Sequence, residues 1–290
     1  MCSNSRKTGL SKVARIAGSS YGQLQLNFYA KSCSSAILEV IMIYLIGFVH
    51  GCDGSVLLNF TPSTKNQTEK VAVPNQTLRG FSFIDGVKKA VEAEYPGVVS
   101  CADIIALVAR DSVVVTVSTK LEPTCRLEAL TGRRDGRISD ASEALASIPP
   151  PTSNFSSLQT SFASKGLDLK DLVLLSGKQD PSLDSEYAAN LKMKKCKSIN
   201  DSTTIVEMDP GSSSKFDLSY FQLVLKRKGI FQSDAALTTS ATTKSFINEL
   251  VKGSLKQFYA EFGVAMEKMG KIEVKTGSAG EIRKHCAAVN

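Results

Sequence analysis

The run Phe48-Val49-His50-Gly51-Cys52-Asp53-Gly54-Ser55-Val56-Leu57-Leu58 carries oxygen donors at alternate positions. Val49 and Gly51 offer backbone carbonyls, and Asp53 and Ser55 offer side-chain oxygens. Such a set suits a hard cation that takes six to eight oxygen ligands. On its own the pattern is unspecific. Imidazole chemistry rests on two residues, His50 and His285. Both are expected to be ordinary exposed or half-exposed histidines, because an imidazole ligates a metal only when partners orient it. The cysteine total is 7, an odd number that leaves at least one thiol without a partner inside the chain.

Helices are expected to position these groups. The chain of 290 residues is 42% hydrophobic and shows no low-complexity tract or internal repeat, so it can build one globular unit with a substantial core. Its longest apolar stretch, residues 37–49, is interrupted by Glu39. That is shorter than the roughly 20 residues needed to cross a bilayer, so a buried helix and no membrane span are expected. Phe83, Ile84, Val87, Ala90 and Val91 recur at helical spacing, and Ser100 with Asp103 forms a capping box before Ile104-Ile105-Ala106-Leu107-Val108. Phe246, Ile247, Leu250 and Val251, then Phe258, Phe262, Ala265, Met266 and Met269, continue the periodicity up to Gly270. Short strands are expected only at residues 113–117 and 272–274. The predicted fold is mainly α.

A formal net charge of +7 favours polyanions in general and selects none. The densest basic runs, Lys192-Met193-Lys194-Lys195 and Lys226-Arg227-Lys228, are expected to be solvated faces, and no nucleic-acid motif surrounds them.

Ordered blocks across the chain resemble the plant secretory haem peroxidases, the class III family. They include Gln25-Leu26-Asn27-Phe28-Tyr29 with Ser32-Cys33, Asn75-Gln76-Thr77-Leu78-Arg79-Gly80-Phe81, Val98-Val99-Ser100-Cys101-Ala102-Asp103 and Gly132-Arg133-Arg134-Asp135-Gly136-Arg137. Asp171-Leu172-Val173-Leu174-Leu175-Ser176-Gly177, Phe216-Asp217-Leu218-Ser219-Tyr220-Phe221, Phe231-Gln232-Ser233-Asp234 and Gly277-Ser278-Ala279-Gly280-Glu281-Ile282-Arg283 follow. The resemblance implies a plant haem peroxidase helical bundle, with a distal half over residues 25–150 and a proximal half over 151–290 around a haem crevice. It also implies haem b, two calcium ions, hydrogen peroxide and small phenolic substrates, a monomer, an extracellular location and association with anionic wall polysaccharide.

The same resemblance marks what is missing. The family reads Arg-x-x-Phe-His-Asp-Cys-Phe before the calcium loop, where this chain has Ile41, Tyr44, Leu45, Ile46, Gly47 and Phe48. Ile41 cannot stabilise negative charge as the distal arginine does, and Leu45 cannot move a proton as the distal histidine does. On the proximal side, Leu175-Ser176-Gly177 runs into Lys178-Gln179-Asp180-Pro181 where the family has Ala-His-Thr-Ile-Gly, so the axial ligand that grips and tunes haem is absent. A replacement axial ligand is weighed in His50, His285 and above all Tyr44, because tyrosinate can ligate haem. Asn75 matches the asparagine that orients the distal histidine, and Asp234 the aspartate that accepts from the axial histidine. If Asp234 stays buried it must find another donor or take up a proton; otherwise its segment relaxes and exposes it.

By resemblance the distal calcium set is Val49, Gly51, Asp53 and Ser55, with Glu69 acting through water, and Ile46 replaces its first carboxylate. The proximal set is Asp209, Ser212, Lys215 through its carbonyl, and Asp217, with a threonine ligand lost. Both sites are expected to bind more weakly. Pro149, in Ile148-Pro149-Pro150-Pro151, matches a substrate-channel proline and is equally a stiff connector. Of four family disulfides only Cys101 with Cys286 keeps both partners; Cys33 faces Tyr95, Cys52 faces Gly47, and Cys196 faces the missing segment. Residues 1–24 show no secretory h-region, so the chain as written is expected to stay unsecreted or cytosolic. Sequons at Asn59, Asn66, Asn75, Asn154 and Asn200 nonetheless suit a secretory ancestor. Two functions are expected to compete: a haem peroxidase of impaired activity, and a non-catalytic peroxidase-like remnant serving a binding or structural role.

Overall fold

The computed structural model describes residues 51–59, 67–76, 78–117, 129–175, 216–228 and 231–290, with the backbone alone at 111–117. Helices dominate, as expected. Among the described residues there are no strands, only an isolated antiparallel bridge between Asp135 and Glu281. The chain forms two compact units, one from Met1–Val113, Ala129–Leu145 and Glu273–Asn290, the other from Val114–Glu128 and Ala146–Ile272.

In the first unit, 3-10 turns at Ser55–Leu57, Glu69–Val71 and Val73–Asn75 precede helix α1, Phe81–Glu94. Helix α1 buries Ile84, Val87 and Lys88. The lysine is tolerated there because its ammonium reaches the Glu92 carboxylate at 2.6 Å and the Val99 carbonyl at 2.7 Å. Pro96, just beyond the helix end at Tyr95, cannot continue the ladder.

Helix α2, Cys101–Val117, corrects two expectations. The first is the strand at residues 113–117, which is instead the last part of this helix. Once a helix is nucleated each added residue gains a hydrogen bond, and a β-branched run weakens that extension only slightly. The second is the capping box. Ser100 Oγ accepts the Asp103 amide at 3.0 Å as required. The Asp103 carboxylate, however, accepts the Gly132 and Arg133 amides at 2.8 and 3.1 Å, so it ties the helix start to a distant loop. Residues 272–274 are likewise not a strand: Ile272 closes a turn on Met269, and Glu273 takes a φ of 47°.

The second unit takes in the end of helix α3, Ala141–Ser147, then α4, Phe155–Ser164, α5, Leu169–Leu175, α6, Ser219–Leu225, α7, Gln232–Thr239, α8, Ala241–Lys252, and α9, Leu255–Met269. Asn154 caps α4 by accepting the Ser157 amide at 2.9 Å. At α5 the box is reciprocal, with Asp168 accepting the Asp171 amide at 3.0 Å and Asp171 the Asp168 amide at 2.9 Å. Lys268 of α9 then bridges both carboxylates at 2.9 Å. The periodicity predicted for α8 and α9 holds: Phe246, Ile247, Leu250, Phe258, Phe262, Ala265 and Met269 are buried, and Gly270 ends the run. Phe216 packs its ring 5.2 Å from Phe258, 5.8 Å from Tyr259 and 4.8 Å from Phe262. No helix among the described residues is long and apolar enough to cross a membrane.

Candidate functional site

The oxygen-rich loop is built by left-handed backbone. Gly51, Cys52 and Gly54 have φ of 64°, 62° and 70°, and a Cβ on Gly54 would meet the Arg283 guanidinium at 2.8 Å. Asp53 and Ser55 are buried. Asp53 Oδ1 accepts the Ser55 amide at 2.9 Å, and its Oδ2 is 2.7 Å from the Lys275 ammonium. The turn carrying Glu69 packs against the turn that starts at Ser55, and the Glu69 amide donates to Ser139 Oγ at 3.0 Å. Val49 lies outside the described residues. Cys52 is a buried free thiol, and burial pushes it up to about 11, so it stays protonated and unreactive.

Behind the loop, Arg283 and Asp135 are both fully buried. Asp135 accepts three amides, from Cys101, Ala102 and Arg283, at 3.2, 2.8 and 2.8 Å. Burial raises its pKa, against the pull of Arg283 and those amides. The guanidinium donates to the Gly54 and Cys286 carbonyls, each at 2.6 Å, and Cys286 is bonded to Cys101. The disulfide is therefore present where the resemblance placed it.

The two residues matched to histidine-orienting roles are both buried. Asn75 Nδ2 donates to the Glu69 carbonyl at 2.8 Å, while its Oδ1 has no hydrogen-bond partner among the described residues. Among the sequon asparagines, Asn75 is buried whereas Asn59 and Asn154 are exposed. Asp234 remains buried and has found donors: the Tyr220 hydroxyl at 2.8 Å and the Phe231 amide at 3.2 Å. The relaxed, exposed alternative is thereby excluded. Replacing Tyr220 by Phe leaves part of this carboxylate's demand unmet and is expected to cost about 1–3 kcal/mol, read as a shift in the urea midpoint.

Pro149 is half-buried between α3 and α4, where the Pro150 carbonyl accepts the Ser153 amide at 3.0 Å. Asp217 Oδ1 accepts the Ser219 amide at 2.8 Å at the start of α6. Asp209, Ser212 and Lys215 lie outside the described residues, as do Ile41, Leu45, Tyr44 and His50. His285 is exposed, as expected, and so are Lys226 and Arg227.

Two groups had no role assigned from sequence. Lys275 is 222 residues from Asp53, and no local spacing links them. Tyr220 lies in the family-like run of residues 216–221, but its hydroxyl contact to Asp234 spans two helices. Chemically, the Asp53 carboxylate is not an open cation ligand: one oxygen holds an amide and the other an ammonium. Nor do the described residues offer haem a buried imidazole.

A mainly helical chain with these paired buried acceptors, this glycine-rich loop and this disulfide has the make-up of a helical peroxidase scaffold. A family model described as Peroxidase matches residues 22–253. The chain belongs to the plant peroxidase family. It is 53% identical to Peroxidase 3 of Arabidopsis thaliana over 317 aligned positions, covering 95% of this chain and 94% of the relative. Similar values hold for Peroxidase 30 of Arabidopsis thaliana, at 52% identity with 93% and 92% covered. Peroxidase 1 of Oryza sativa subsp. japonica is 43% identical, with 96% of each chain covered. Because 317 aligned positions exceed the 290 residues of this chain, segments of Peroxidase 3 have no counterpart here.

Proposed function

We propose that this chain is a class III peroxidase-like protein whose family activity, haem- and peroxide-dependent oxidation of phenolic donors, is weak or absent. One observation carries this reading. The buried Asn75 Oδ1 is the acceptor that by family resemblance would hold the distal imidazole, and it has no donor among the described residues. The sequence has Leu45 where that imidazole stood. Asp234, by resemblance the acceptor for the axial imidazole, is engaged by Tyr220 and Phe231 instead. Isoleucine and leucine at positions 41 and 45 supply neither the charge nor the proton transfer that peroxide cleavage requires. The same observations favour a second reading, a non-catalytic scaffold with a binding or structural role. Family membership supports haem b as ancestral cofactor, an extracellular location and a monomer, with anionic wall polysaccharide as a partner of the basic surface.

Titration with ferric haem, followed by peroxide and a phenolic donor, tests this. The expected result is no saturable histidine-type Soret band and no turnover. A sharp saturable spectrum with turnover overturns it, and H50A and H285A variants would then identify the recruited ligand.

A further inference from the structure

The Asp53 loop already contains a cation. Asp53 Oδ2 lies 2.7 Å from the Lys275 ammonium, with the two side chains 1% and 28% exposed. Lys275 is held in place by its own backbone, whose carbonyl accepts the Arg134 amide at 2.8 Å. The neighbouring residue is anchored too, because the Asp53 carbonyl accepts the Gly136 amide at 2.8 Å. No room remains beside the carboxylate on that side: a Cβ on Gly136 would come within 2.2 Å of Asp53 Oδ2. A second positive charge stands behind the loop, since the buried Arg283 guanidinium donates to the Gly54 carbonyl. A calcium ion needs several carboxylate and carbonyl oxygens facing it at 2.3–2.6 Å. Among the described residues a dication would meet the Asp53 carboxylate, already shared, and the buried Glu69 carboxylate on the adjoining turn, set against two cationic side chains. A partly buried ion pair is weakly screened, so the ammonium holds its place at physiological salt.

We propose that Lys275 is the resident cation of this loop, holding Asp53 by an ion pair internal to the chain, so that the loop takes up no divalent cation. This ion pair bears on loop stability and stands apart from peroxide chemistry.

Calcium content per chain, measured by mass spectrometry after equilibration and gel filtration, tests it in the intact protein. Wild type and D53N are expected to carry equal calcium, whatever other sites hold. One additional calcium in wild type overturns the proposal. Melting in excess EGTA gives an independent readout. K275M is expected to melt several degrees lower than wild type, while K275R, which keeps the charge, melts close to it. K275M melting like wild type in EGTA also overturns the proposal. Should K275M fail to accumulate, the comparison of wild type with D53N and K275R still decides the matter.

Discussion

Replacing both Cys101 and Cys286 by alanine is expected to lower the unfolding free energy by about 4–5 kcal/mol on the loop-entropy account of disulfides. The bond joins residues separated by 185 positions, with Cα atoms 5.7 Å apart, so it closes most of the chain into one loop. Its effect is exerted mainly on the unfolded ensemble, which gains conformational freedom when the link is cut. Both cysteines are buried, at 0% and 1% exposure, so native protein should resist reductant while unfolded protein does not. Urea unfolding with and without reductant checks this. A midpoint change equivalent to less than 1 kcal/mol would show that the unfolded chain is already compact without the link.

The second large effect is expected at Arg283. Methionine there keeps an unbranched apolar stem but is shorter and loses every donor, leaving the Gly54 and Cys286 carbonyls unserved and the buried Asp135 carboxylate without its guanidinium. Removing one member of a buried charge pair typically costs 3–5 kcal/mol. The sign of the pH dependence follows from Asp135. Burial already raises its pKa and Arg283 opposes that rise, so in R283M the pKa climbs further. A folded-state pKa raised above the unfolded value means that the folded state gains stability as pH falls toward it. The deficit of R283M relative to wild type should therefore be greatest at neutral pH and shrink in acid. A deficit that grows in acid would place the loss in packing rather than charge.

Much of the helical architecture was legible because apolar spacing in residues 81–94, 241–252 and 255–269 repeats at helical period and nothing competes with it. The end of α2 was not, since its β-branched run reads as a strand unless the preceding helix is known to continue. Asp103 shows a different limit. Its spacing from Ser100 satisfies the local rule, yet the amides of Gly132 and Arg133 outcompete the cap. At the site, family motifs identified Asn75, Asp53, Asp234 and the disulfide pair, but not what now satisfies them. Tyr220 and Lys275 reach their carboxylates through tertiary structure alone, and no periodicity encodes a contact across 222 residues.

The segment Glu273–Asn290 belongs to the first unit, where it supplies Lys275, Arg283 and Cys286 and pairs Ala287 with Asn59. A ribosome emits this piece only after the unit's other parts and all of the second unit. At roughly 5–20 residues per second, the unit's other parts wait on the order of ten seconds for the strip that closes them. During synthesis the second unit can assemble from contiguous helices, whereas the first remains open with its apolar faces accessible to chaperones. A chain cut short before Lys275 would thus keep the described helices of the second unit while Asp53, Asp135 and Cys101 of the first lose their partners.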